Sequence, residues 1–288
     1  MTARSFPDIP HRKVIPMRKL LLASILALSI PAALTAQEAT EAEAQAKATE
    51  LAKAAQNPVA NMNSIPVQFN WTTGGGLGDE TQSVINVQPV LPLPINEKWN
   101  IISRTVIPIV NLPAGGTERL TGIADIQEQV YFTPTKSGGI TWGFGPIFSF
   151  PTATNPAMET GQFALGPTFV ALKISKTWVY GALVNNLWRI AGSEETTPIN
   201  AFFLQPFINY NLKRGWAIST APAITANWNA PSGQEWTVPI GLGVSKITMV
   251  GKQPMNVLLQ YYHNVERPDG AGADLVRMQF TLLYPKAK

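Results

Sequence analysis

From Ile65 to Tyr284, apolar side chains recur at every second position in short segments, with a turn signal every dozen or so residues. Period two sends successive side chains to opposite faces of an extended strand. The pattern therefore demands β-structure, and no apolar run in this region is long enough for a transmembrane helix. In residues 140–150 the even positions are Ile140, Trp142, Phe144, Pro146, Phe148 and Phe150, while the odd ones are mostly small. Comparable dyads cover 65–72, 84–91, 99–110, 163–172, 201–210, 216–228, 236–245, 256–265 and 276–284, with weaker ones at 125–132 and 178–188. The count is about twelve, an even number that returns both ends of a meander to one side.

All eight tryptophans lie at ends of these segments, on the parity that turns each indole outward. Trp99, Trp142, Trp178 and Trp216 open upward strands at one rim; Trp71, Trp188, Trp228 and Trp236 lie at the other. An indole has an apolar body and one N–H donor, so it is most stable where hydrocarbon meets headgroups. Two such rims are the aromatic girdles of a transmembrane barrel. The opposite face carries Asn86, Gln88, Arg104, Asp125, Gln127, Gln205, Asn209, Asn227, Gln260, Arg277 and Gln279 among glycines and serines. A sandwich would bury its apolar face and wet its polar one, whereas here the bulky face has its aromatics gathered at the strand ends. Backbone polar groups in hydrocarbon must all be paired, so the expected fold is all-β: an antiparallel up-and-down barrel, residues 61–288, behind a short helix.

Residues 1–36 read as an export signal. Met17-Arg18-Lys19 supplies a charged start, the run from Leu20 to Leu34 is too short to span well, and Leu34-Thr35-Ala36 precedes a cut before Gln37. Met17 is then a second candidate initiator. Losing this segment removes Arg4, Arg12, Lys13, Arg18, Lys19 and Asp8, leaving 17 of 22 basic and 17 of 18 acidic residues. That balance withdraws the compositional support for nucleic-acid binding. The chain has no cysteine, so disulfides and thiolate metal sites are excluded. Residues 37–60, rich in Ala, Glu, Lys and Gln and ended by Pro58, predict one helix with Leu51 as its only large apolar residue. A solvated periplasmic segment and a lumen plug both stay open.

Connections after odd segments are the longer ones and should face outside. They are acidic, with Asp79, Glu80, Glu118, Glu159, Glu194, Glu195, Glu235, Glu266, Asp269 and Asp274. The short turns and tail are basic, with Lys98, Lys136, Lys173, Lys176, Lys213, Arg214, Lys246, Lys252, Lys286 and Lys288. Plain solvation of the acidic loops and calcium bridging to anionic surface lipid are the two readings. Pro89, Pro108, Pro146, Pro167, Pro206, Pro222 and Pro239 lie inside the segments, where each removes a ladder donor and a closed barrel offers no free edge. Bulges or early strand ends are the expected accommodation.

The chain resembles a family of bacterial outer-membrane barrel transporters, some of them mislabelled neuromedin U, and the related barrels of phenol-degradation pathways. The resemblance runs through Asn57-Pro58-Val59-Ala60, Gln88-Pro89-Val90, residues 99–108, Gly143-Phe144-Gly145-Pro146, Pro151-Thr152-Ala153-Thr154, Tyr180-Gly181-Ala182-Leu183, Gln205-Pro206-Phe207 and Trp236-Thr237-Val238-Pro239. It implies fold and location, makes the strand prolines a family trait, and brings no agreed binding residues. The alternating end, Val276, Met278, Phe280, Leu282 and Tyr284, resembles the signal read by barrel-assembly machinery.

The expected inward charges are Arg104, Asp125 and Arg277, with Glu128 ambiguous; Arg104 and Asp125 form a candidate diagonal ion pair across adjacent strands. With Asn86, Gln88, Gln205, Gln260 and Gln279 they outline a lumen for weakly selective passage of small polar or neutral solutes. A structural or surface-interaction barrel with a filled lumen is the alternative. A lipase-like or deacylase-like barrel enzyme needs a base beside a nucleophile. The one histidine after the signal segment is followed by Asn264 and Val265, where barrel phospholipases, by resemblance, place a serine two residues on. No catalytic residue, metal ligand or cofactor is assigned. The expected partners are outer-membrane lipid, the assembly machinery and a small solute.

Overall fold

The structure, a computed structural model, describes residues 41, 43–75, 80–115, 118–136, 138–155 and 158–284. The expected export signal, residues 1–36, and Asp79, Lys286 and Lys288 lie outside the described residues. Residues 43–55 form a helix, α1. Fifteen strand segments follow: β1 (Asn63–Thr73), β2 (Gln82–Val87), β3 (Val90–Pro94), β4 (Trp99–Gly115), β5 (Glu118–Ile123), β6 (Ile126–Pro134), β7 (Ile140–Phe150) and β8 (Gln162–Ile174), then β9 (Trp178–Gly192), β10 (Asn200–Asn211), β11 (Trp216–Thr220), β12 (Ile224–Asn227), β13 (Trp236–Val250), β14 (Gln253–Glu266) and β15 (Asp274–Tyr284). Segments β2/β3, β5/β6 and β11/β12 are interrupted halves of single strands, which makes a closed antiparallel barrel of twelve. Each strand pairs with its neighbour in sequence, and β1 closes the ring on β15 from Asn63 opposite Tyr284 to Thr73 opposite Asp274. This is the architecture that the alternation predicts.

The prolines account for the interruptions and gaps. Pro89 separates β2 from β3, and the Ala124-Asp125 break lies beside Pro108, whose carbonyl accepts from the Ala124 N–H at 2.9 Å. Pro222 divides β11 from β12, and extending the β10 register across that break places it opposite Pro206. Pro239 sits at a register shift between β13 and β14. Pro146 and Pro167 face one another across β7 and β8. On their far sides the ladders to β6 and β9 skip the corresponding rungs. Missing donors are thus concentrated where pairing already lapses, and two prolines share a single site of disruption. Where residues 111–122 read as a loop in sequence, β4 and β5 continue as a hairpin.

Large apolar side chains stud the outside, among them Phe144, Phe169, Ile208, Ile240, Leu242 and Leu259. Trp178, Trp188, Trp216, Trp228 and Trp236 are exposed there, and Trp71, Trp99 and Trp142 are half-buried. Several meet in edge pairs, Trp99 with Trp142 at 5.8 Å and Trp228 with Trp236 at 5.3 Å between ring centroids. The Lys246 ammonium lies 4.7 Å over Trp216, and Trp178 packs on Tyr210 at 4.7 Å.

Inside, Val90, Ile102, Tyr131, Val170, Leu172, Val179, Leu183 and Phe207 form a buried cluster with Val59 of the N-terminal segment. A second cluster joins Leu51 and Ala52 of α1 to Met62, Ile247 and Leu283. The stretch from Lys47 belongs to the same compact unit as the barrel. Leu51 is therefore not a lone apolar residue on a solvated helix. Small alanines bring the helix close enough to the wall for that one leucine to seat.

Candidate functional site

The functional space is the barrel interior, one cavity of about 1070 Å³. It reaches from Ala55, Gln56, Asn57 and Pro58 at one mouth to Pro231, Gln234 and Pro268 at the other. At the first mouth Gln56 and Asn211 exchange amide hydrogen bonds, Gln56 donating at 2.9 Å and Asn211 at 3.1 Å. At the second, Gln234 and Asp269 tie two loops, and the Asn229 amide donates to the Pro198 carbonyl at 2.6 Å.

Arg104, Arg277, Asn86, Gln88, Gln205, Gln260 and Gln279 all line this cavity. Strand parity puts them there, since Arg104 is opposite Gln129 and Arg277 is opposite Asn70, each pair on one face of the sheet. Two residues missed in sequence, Gln68 and Asn70, join them into a string. Arg277 Nε donates to Asn70 Oδ1 at 3.0 Å, and Asn70 Nδ2 donates to Gln68 Oε1 at 3.2 Å. Gln88 Nε2 donates to the same Gln68 oxygen at 3.5 Å, and Arg104 Nη2 donates to Gln88 Oε1 at 2.5 Å. Amide oxygens are turned to the guanidinium groups at both ends, so neither positive charge lies against bare hydrocarbon.

Each arginine also holds wall structure. Arg104 Nη1 donates to Gln129 Oε1 at 3.0 Å, an oxygen that also accepts from the Tyr131 hydroxyl at 2.7 Å. Arg277 Nη1 donates at 3.1 Å to the carbonyl of Ala221, exposed by the Pro222 break, while the Ala221 N–H donates to the Tyr262 hydroxyl at 2.8 Å. The guanidinium of Arg277 lies 5.3 Å over the Tyr262 ring. Beside them Gln260 donates to Ser219 Oγ at 3.2 Å, and its buried carbonyl oxygen has no partner. An unpaired buried carbonyl oxygen of this kind costs about 1–3 kcal/mol.

Asp125 does not join the arginines. It sits in the β5/β6 break and gathers the loop beyond β7, accepting from the Thr152 and Ala153 N–H groups at 3.1 Å each and from Thr160. The diagonal pair with Arg104 is replaced by amide contacts, because the break carries Asp125 out of the ladder. Asp125→Ala is expected to lower the local stability of the 151–160 loop by roughly 1.5–3 kcal/mol, read as faster proteolytic cutting there with the barrel intact. Cutting at the parent's rate would show that Asp125 does not hold this loop. Glu128 falls on the outer parity, accepting from the hydroxyls of Ser103 at 2.6 Å and Thr105 at 2.5 Å.

On the outer face at the far end of β14, His263 Nδ1 is 2.9 Å from Asp274 Oδ1. The Tyr261 hydroxyl donates to the same oxygen at 2.6 Å. Among the described residues no three acidic or histidine side chains gather as a metal site. Among the described residues, then, the acidic loops hold no preformed cluster for the calcium-bridging reading.

The interior has a second wall that sequence reading missed. Leu183, Leu187, Ala201, Phe203 and Phe207 line the cavity from β9 and β10, alongside the amide string on β1, β2, β4 and β15. A cue was present in the β8 and β9 segments, where large apolar residues occupy both parities.

No protein-family model matches the chain, and no curated protein matches it. Among solved structures, an outer-membrane channel from Pseudomonas putida F1 superimposes with a TM-score of 0.61 at 8% identity, over 78% of this chain and 96% of that one. The NanC porin superimposes with a TM-score of 0.52 at 9% identity, over 77% of this chain and 100% of that one. At such identities the likeness is one of fold. The chain is thus similar in fold to outer-membrane barrel channels.

Proposed function

We propose that this protein is an outer-membrane β-barrel acting as a passive channel for small polar solutes, exported by its N-terminal signal and inserted by the barrel-assembly machinery. The observation that carries this reading is the cavity reaching from Pro58 to Pro268, one wall of which is built around an amide string and two arginines. Supporting it is the outer surface, apolar along the strands and aromatic toward their ends, which matches the lipid-facing band and girdles of such barrels. Solute selection would follow from inward side chains, since a barrel of this size leaves little width beyond them.

The test is reconstitution. Refolded protein in planar bilayers is expected to give discrete conductance steps, and proteoliposomes should swell in isotonic solutions of a small sugar. Folded protein that gives neither current nor swelling would remove the channel and leave a lipid-embedded structural barrel.

A further inference from the structure

Arg104, half-buried, and Arg277, buried, are the positive charges of the cavity, and no carboxylate lies within ion-pair distance of either among the described residues. Glu235, the cavity's acidic residue, sits in the loop at one mouth, accepting from the Gly233 N–H at 2.8 Å. Guanidinium groups stay charged in proteins and present five N–H donors each. Among the described residues the hydrogen bonds of Arg104 and Arg277 all go to neutral oxygens, so the charge is hydrogen-bonded but not neutralised. A low-dielectric wall around uncompensated positive charge focuses a field that enriches anions in the lumen.

A second feature narrows the ligand. Gln129 is shared by Arg104 and Tyr131, and Tyr131 belongs to the buried cluster that contains Leu183 and Phe207. The positive string therefore borders an apolar wall inside one cavity. A hydrated inorganic anion would satisfy the first and leave the second dewetted. An organic anion satisfies both, placing a carboxylate on the guanidinium and its hydrocarbon body against leucine and phenylalanine.

We propose that the lumen selects small carboxylates with an apolar body, bound at Arg104 and the Leu183/Phe207 wall. This rests on the channel reading above and deepens it. The tests use the full mature chain in planar bilayers under a potassium chloride gradient, then with acetate and with hexanoate replacing chloride. The expected reversal potential has the sign of an anion-preferring pore. Hexanoate should permeate at least as well as acetate, reversing their order of mobility in water, and added hexanoate should reduce the chloride current.

Arg104→Gln is expected to weaken the anion preference and Arg104→Lys to keep it. Leu183→Asn should lower the hexanoate-to-acetate ratio while leaving charge selectivity in place. Folding of each variant is checked by its heat-shifted mobility on electrophoresis, and the chloride-current measurement needs no variant. A conducting pore that prefers cations, or one that hexanoate neither enters nor blocks, overturns the inference and leaves the channel standing. Absence of any conductance removes the channel reading itself.

Discussion

A chain that begins at Asn61 is expected to conduct several-fold more current than one that retains the N-terminal segment. Ala55, Gln56, Asn57 and Pro58 line one mouth of the cavity, and Val59, 4% exposed, is a member of the interior apolar cluster. Leu51 and Ala52 anchor the helix beside that mouth against Met62, Ile247 and Leu283. Burying a leucine or valine side chain contributes about 1.5–3 kcal/mol, so these two anchors, together with a reciprocal amide pair, favour the docked segment. The docked state then dominates, and the mouth opens only in brief excursions.

Removing the segment should yield a steady, larger current. Val59→Asp should give an intermediate result, because an unpaired carboxylate in the apolar cluster favours release of a tether that stays covalently attached. Single-channel recording distinguishes the three. Equal unitary conductance and equal open fraction for the intact and shortened chains would show that the segment rests on the wall without narrowing the path.

The twelve strands were legible because a period-two signal survives wherever one face meets lipid and the other meets polar groups. Strand breaks were less so. A proline in a dyad reads the same whether its ladder is intact, bulged or split, and only the partner strand shows that Pro206 lies opposite Pro222 or Pro146 opposite Pro167. Asp125 illustrates the consequence: its parity pointed to the lumen, but the break at Ala124-Asp125 turned it to the loop of Thr152 and Thr160.

The amides of the lumen were found by parity alone. Their joining into a string was not, because it depends on the registers of β15, β1, β2 and β4 together. The apolar wall was missed for a different reason. A lumen-facing Leu183 and an outward-facing Tyr180 are both apolar positions to a pattern that assumes one greasy face.

Gly166→Ala is expected to prevent formation of the folded barrel, seen as loss of the fast-migrating band in unheated samples. A methyl group there would lie 1.6 Å from the backbone oxygen of Asn186 and 2.8 Å from its carbonyl carbon. No side-chain rotation relieves a clash with the neighbouring strand's backbone, so β9 itself must shift, beyond the roughly 1–3 kcal/mol typical of overpacking.

A proline follows both this glycine and Gly145, and the same close carbonyl approach occurs at Gly181, Gly241 and Gly243, where none does. Register places Asn186 opposite Pro167 and Val130 opposite Pro146, so both carbonyls face a residue that has no N–H to offer. Each instead lies over the preceding glycine, where a Cβ at Gly145 would meet the Val130 oxygen at 1.9 Å. The Gly-Pro dipeptides at 145–146 and 166–167 thus work as units: proline deletes a rung, and glycine makes room for the carbonyl left without a donor. Gly138→Ala, where nothing lies within 4 Å of the added methyl, should fold like the parent. Should Gly166→Ala also fold with an unchanged urea midpoint, the skipped rungs would have to be wide enough to admit a side chain, and the coupling of glycine to proline in these strands would be lost.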